Sequence, residues 1–190
     1  MQRSTRNFEP LYNVACTLRA FRQVQDRYPD ATLTLVGSGS QDQPLRRLAA
    51  ELDLHNVRFV GRVQPGEIHR YYADADIYLQ TPDIDNMPSS VLEAFSSGCP
   101  VVATKAGGVP AILTDGKHGL LVPCGDSDSA AAAIRRLIEE PGLAVRIANA
   151  ARESCEQYRW STVRVLWVSL YRRMLQTDRV SSAVPSESRL

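Results

Sequence analysis

The fold is decided by Ile77-Tyr78-Leu79-Gln80-Thr81-Pro82-Asp83-Ile84-Asp85-Asn86-Met87-Pro88-Ser89-Ser90-Val91-Leu92-Glu93-Ala94-Phe95-Ser96-Ser97-Gly98-Cys99-Pro100-Val101-Val102-Ala103. Ile77-Tyr78-Leu79 reads as a short buried strand, and Thr81–Met87 as a loop. A helix is expected from about Pro88 to Ser97, with Gly98 as its stop. Pro100-Val101-Val102-Ala103 then reads as the next strand. Strand, helix and strand joined by short connections form a parallel unit.

Working outward, the same alternation continues in both directions. Upstream come a helix at Tyr12–Arg27, a strand at Thr32–Val36, a helix at Asp42–Leu54, a strand at Val57–Val60 and a short helix at Gly66–Ala75. Downstream come a small helix near Pro110–Leu113 and a strand at Gly119–Val122. The expected fold class is α/β, a doubly wound, parallel-sheet, Rossmann-like domain followed by C-terminal helices at about 128–139, 142–157 and 161–175. Asp126 or Ser127 would cap the first of these helices. Residues 1–176 are expected to form the domain, and the polar, Ser-rich stretch 177–190 a disordered tail. In such sheets ligands bind beyond the carboxyl ends of the strands, so the loops after Val36, Val60, Leu79 and Ala103 matter most.

Composition narrows the function. The chain has 190 residues, 44% of them hydrophobic and 23% charged, which suits one globular domain. Lys and Arg number 22 against 21 Asp and Glu, a net +1 that gives no global field for nucleic acid. No apolar run is long enough for a transmembrane segment, and Met1–Pro10 lacks a secretory core. The four cysteines, Cys16, Cys99, Cys124 and Cys155, form no CxxC pair, so reduced thiols are expected rather than a zinc site. These features point to a cytoplasmic location. His55, His69 and His118 have no nucleophile nearby in sequence and receive no catalytic role. Gly37-x-Gly39 follows a strand, as a dinucleotide fingerprint would, but Asp42 stands at the third glycine position. No acid closes the second strand, which disfavours a nicotinamide dehydrogenase.

The residues of the central stretch suggest a ligand class. Pro88 suits the first helical position, where a missing N–H costs nothing. Amides near Ser89 and Ser90 would then form an anion site at a helix start. Glu93 lies one turn further in, and Asp85 eight positions before it. A helix start beside two carboxylates suits a ligand carrying both phosphates and hydroxyls.

This pattern resembles the donor site of the family 4 (group 1) retaining glycosyltransferases. The resemblance rests on Asp85-x7-Glu93-Ala94 and Gly98-x-Pro100-Val101-Val102-Ala103. Val36-Gly37-Ser38-Gly39, Val57–Gly61, Ala73–Ile77, Gly107-Gly108-Val109-Pro110 and Gly119–Pro123 support it. It covers about residues 6 to 175, the C-terminal, donor-binding half of the two-domain GT-B architecture.

The resemblance implies that Glu93 holds the nucleotide ribose. It implies that Asp85, where the family usually has Glu, contacts the transferred sugar; both are the catalytic candidates. Asn86, Met87, Pro88, Ser89 and Ser90 would face sugar and diphosphate. Val60, Gly61 and Arg62 would meet the base, and Gly37 and Gly39 would let the first loop approach the donor. Arg6 stands for a family Arg, Tyr12 occupies the place of a family Lys, and Lys105 is a substitute cation.

The implied reaction transfers a sugar from a nucleotide-diphosphate sugar to a hydroxyl of an acceptor sugar, lipid or other compound, with retention of configuration. No metal and no further cofactor are expected; the nucleotide sugar is substrate. The acceptor would be bound by an N-terminal Rossmann domain or a partner chain, which could also bring the protein to the inner membrane face. Two alternatives stay open: a sugar-nucleotide binding module without turnover, and a sugar-nucleotide epimerase of related fold.

Overall fold

A computed structural model describes residues 2–5 and 7–181. Its centre is a six-stranded parallel sheet in the order β3-β2-β1-β4-β5-β6. The strands are β1 (Gln2–Thr5), β2 (Leu33–Val36), β3 (Val57–Gly61), β4 (Ile77–Gln80), β5 (Val101–Thr104) and β6 (Leu120–Val122). The helices between them are α1 (Val14–Arg27), α2 (Asp42–Glu51), α3 (Ile68–Ala73), α4 (Ser89–Ser96) and α5 (Val109–Ile112). They are followed by α6 (Ser127–Glu139), α7 (Leu143–Ser154) and α8 (Trp160–Ser181). The expected Rossmann-like α/β class is therefore observed.

β2, β4 and β5 are buried at every position, the mark of a sheet covered on both faces. α1 presents Val14, Leu18, Phe21 and Val24 at helical spacing and contributes to two apolar clusters. Leu18 and Phe21 join Leu33, Leu35 and Leu45. Ala20 and Val24 join Ile77, Leu79, Val102, Ile134 and Ile147. The alanines of α6, Ala130, Ala131 and Ala133, are small enough for that helix to lie close against its neighbours.

β1 escapes the sequence reading. Gln2-Arg3-Ser4-Thr5 has no apolar residue, yet it pairs with β2 (Ser4 with Leu35, Thr5 with Val36) and with β4 (Gln2 with Ile77). It is the hinge of the topology. The chain builds β1, β2 and β3 outward on one side, then returns to place β4 on the other side of β1. That reversal opens a crevice beyond the carboxyl ends of β1 and β4.

Two details differ at element ends, and one alternative is resolved. Pro88 is not the first helical residue: its ψ of 112° is extended, and its carbonyl accepts the Val91 N–H at 3.1 Å, which makes it the N-cap of α4. Asp126, rather than Ser127, caps α6 and accepts from Ser129 N at 2.8 Å. Thr177–Ser181, expected in a disordered tail, continue α8; residues 182–190 lie outside the described ones.

By contact density the chain divides into two compact units, Met1–Ser154 and Cys155–Leu190. The first holds the sheet and α1 to α7. The second holds a 3-10 turn, Cys155–Tyr158, and α8, where Trp167 and Tyr171 stack at 5.7 Å and Trp160 is exposed.

Candidate functional site

The site is built on the loop between β4 and α4, and the structure fastens that loop from two directions. On one side lies the entry to α1. Asn13 adopts a left-handed φ of 43°, caps α1 through Cys16 N, and donates from Nδ2 to both carboxylate oxygens of Asp83 at 3.0 and 3.1 Å. Buried Thr81 donates to Asn13 O at 2.9 Å, so the Thr17 hydroxyl, also at 2.9 Å, supplies the proton of the Thr17–Thr81 bond. Cys16 sits in the same contact region, where burial pushes its thiol up to about 11.

On the other side lies the entry to α5. Gly108 N donates to Asp85 O at 3.0 Å. A Cβ on Gly107 would lie 2.0 Å from Asp85 O, and one on Gly108 1.6 Å from Asn86 O. Only glycine lets these backbones meet. Asp85 and Asn86 are thus held by main-chain contact at the mouth of the crevice.

The crevice itself is a cleft of about 240 Å³. Its floor comes from strand ends: Thr5 and Asn7 at and beyond the end of β1, Val36 and Gly37 at and beyond the end of β2, Arg62 and Val63 beyond β3. Its far wall is α3 and the opening of α4: Tyr72, Ser89, Ser90 and Glu93, with Tyr12 at the rim. The first N–H groups of any α-helix have no partner in its own ladder, and the helix dipole makes that end positive. In α4 this opening turn begins at Ser89 and faces the cleft. Among the described residues, Arg62 and Glu93 are the charged side chains in the lining.

Glu93 is half-buried and held. The Tyr72 hydroxyl donates to Glu93 Oε2 at 2.8 Å, and Thr5 Oγ1 lies 2.5 Å from that hydroxyl. Burial, then the neighbouring Tyr78 hydroxyl, raises the Tyr72 pKa far above its ordinary value, so the phenol stays a donor. Behind it, Ser90 Oγ donates to Gln80 Oε1 at 3.1 Å. Gln80 Nε2 is the one buried side-chain nitrogen or oxygen among the described residues that lacks a partner.

Of the residues singled out in the sequence, Gly37, Arg62, Ser89, Ser90 and Glu93 line the cleft together. Tyr12, placed by the resemblance where a lysine is usual, lines it as well. Asp85, Asn86, Met87 and Pro88 lie on the fastened loop, outside the lining; Val60 and Gly61 end β3 just before Arg62. Gly39 answers to a different neighbour: a Cβ there would come 2.5 Å from Phe8 O. Lys105 is exposed after β5, with its N–H on Val122 O, and is not in the lining. Arg6 lies outside the described residues.

Thr5, Asn7 and Tyr72 were missed. The first two follow from β1, which a polar tetrapeptide conceals. Tyr72 reads locally as one aromatic of a short amphipathic helix, and nothing near it in sequence announces Glu93. Among the described residues no group of three or more His, Cys, Asp or Glu side chains is arranged to hold a metal. No described helix is long and apolar enough to cross a membrane.

Comparison with known proteins gives concordant results. The sequence model of the family described as Glycosyl transferases group 1 matches residues 4–154. A sulfoquinovosyl transferase of Arabidopsis thaliana is 33% identical over 147 residues, 76% of this chain and 28% of the relative. A phosphatidyl-myo-inositol mannosyltransferase of Mycolicibacterium smegmatis is 32% identical over 165 residues, 86% of this chain and 42% of the relative. The chain therefore spans less than half the length of these two curated relatives. Among solved structures, Anabaena Alr3699/HepE in complex with UDP-glucose superposes with a TM-score of 0.80 at 26% identity, over 93% of this chain and 48% of that one.

Proposed function

We propose that this chain, which belongs to the group 1 glycosyltransferases, is the donor-binding half of a retaining enzyme that moves a sugar from a nucleotide diphosphate to an acceptor hydroxyl. One observation carries the reading. A helix opening, a guanidinium and a tethered carboxylate share one cleft at the point where the sheet's strand order reverses.

Each part has a chemical task. The opening turn of α4 and Arg62 offer positive potential to the diphosphate, most valuable as charge builds on it during departure. Glu93 accepts hydrogen bonds from the ribose hydroxyls, and its carboxylate is held in place by Tyr72 before the ligand arrives. Arg62 and Val63, just after the end of β3, lie on the cleft floor, where backbone groups meet the base. Asp85 reaches toward the transferred sugar from the loop clamped by Gly107 and Gly108. The acceptor hydroxyl attacks from the face the diphosphate leaves, which keeps the anomeric configuration. The acceptor, a sugar, a lipid or another hydroxyl compound, is brought by a second domain or chain.

A second reading is donor binding without turnover by these 190 residues alone, which span less than half the length of the transferases named above. Titration calorimetry of the chain with UDP-glucose and with a GDP-hexose tests the shared premise. Saturable binding of either, displaced by the free nucleoside diphosphate, supports donor recognition; no binding of either overturns it. Adding candidate acceptors and following the anomeric signal by NMR then separates the two readings. A product of unchanged configuration supports the transferase, and unchanged donor supports binding alone.

A further inference from the structure

We infer that Tyr72 is a positioning residue, one that acts on the nucleotide through Glu93 and not by its own contact. This deepens the proposed function and rests on its assignment of Glu93 to the ribose.

The geometry is a count of protons. The Tyr72 hydroxyl has one, and it goes to Glu93 Oε2 at 2.8 Å. With that proton on Glu93, the single Thr5 hydroxyl proton is shared between the Tyr72 oxygen at 2.5 Å and the Tyr78 oxygen at 3.2 Å. Among the described residues no other side chain is bonded to the Glu93 carboxylate, so one of its oxygens is occupied by the protein and the other is left for a ligand. The phenol cannot wander. Tyr72 is 1% exposed and packs edge-on against Tyr78, with ring centroids 5.3 Å apart at 71°. Burial keeps it protonated, so it is a donor at every ordinary pH. A glutamate side chain otherwise loses substantial rotamer freedom when it closes on a ligand. A carboxylate already fixed avoids that loss at the moment of binding. The three residues come from β1, α3 and α4, so the tether exists only once the sheet has assembled around β1.

The test uses the full 190-residue chain and Tyr72→Phe, which keeps the ring and removes the hydroxyl. UDP and GDP are titrated by calorimetry against their 2′,3′-dideoxy counterparts. Tyr72→Phe is expected to weaken the ribonucleotide by about three- to tenfold and leave the dideoxy compound unchanged. Added to Glu93→Ala, it should do nothing further. Equal weakening of both nucleotides, or no change in either, overturns the inference. If Glu93→Ala retains the preference for ribose, the ribose assignment itself fails; if neither nucleotide binds the unaltered chain, both readings fail. Should the phenylalanine variant not fold, 3-fluorotyrosine placed selectively at position 72 serves. Its ¹⁹F line should shift with the ribonucleotide and stay put with the dideoxy form; the same shift with both overturns the inference.

Discussion

Two cavities lie at opposite ends of the same strands, and they differ in kind. The cleft at the carboxyl ends holds about 240 Å³ and gathers Arg62, Glu93 and the start of α4. The cavity at the amino ends is larger, about 570 Å³. It lies among Val24, Ala31, Ile77, Leu137, Val145 and Ala148, with Tyr28, Thr32 and Asp76 as polar members of the lining. Volume alone would favour the second. Parallel strands explain why chemistry collects at the first. At the carboxyl ends the chain turns into helix openings, whose N–H groups and dipoles face the crevice. At the amino ends it arrives from helix ends, and what remains between α1, α6 and α7 is mostly apolar side chain.

The sharpest way to break this contrast is at the loop that serves only the polar end. Gly108→Ala puts a Cβ 1.6 Å from Asn86 O. It should cost about 1–3 kcal/mol of folding stability, as overpacking does, and abolish nucleotide-sugar binding. Urea unfolding and calorimetry read the two effects, and a variant with unchanged midpoint and affinity contradicts the clamp. Next in size is Glu93→Ala, expected to weaken donor binding by about 1–3 kcal/mol, as loss of hydrogen bonds to a charged group does. An unchanged dissociation constant in the folded variant removes Glu93 from the site.

A smaller effect is expected at the cap of α6. The Ser129 hydroxyl, then its backbone N–H, hold the Asp126 carboxyl below its ordinary value of 3.8. A lowered folded-state pKa contributes stability that is fully present above 3.8 and lost as pH falls through the folded value. Asp126→Ala should therefore lower the melting temperature at pH 7, and the gap from wild type should close in strong acid. A gap independent of pH contradicts the cap. The smallest effect should come from the amino-end cavity. Ala144→Leu adds apolar volume there, and donor affinity should not move. A change in affinity of more than about twofold, roughly 0.4 kcal/mol, would join the two ends that the structure keeps apart.

The sequence made much of this legible because its signals are local. The strands at Thr32–Val36 and Ile77–Leu79, the helix at Asp42 and the stop at Gly98 are each announced by a few adjoining residues. So are Ser89, Ser90 and Glu93, since a helix start and the turn that follows it are a matter of spacing. The Pro88 position slipped by one residue because proline fits either side of a helix boundary, and only ψ decides which.

What the sequence by itself determined is therefore the alternation of strands and helices and the stretch in which the site sits. Tertiary structure alone decided three things. It placed polar β1 at the centre of the sheet, fastened Asp85 and Asn86 beneath two glycines, and set Tyr72 against Glu93 across 21 residues of chain and against Thr5 across 67. Periodicity reports which face of an element is buried. Which distant hydroxyl meets which carboxylate depends on how the crossovers stack the elements, and no local pattern encodes that.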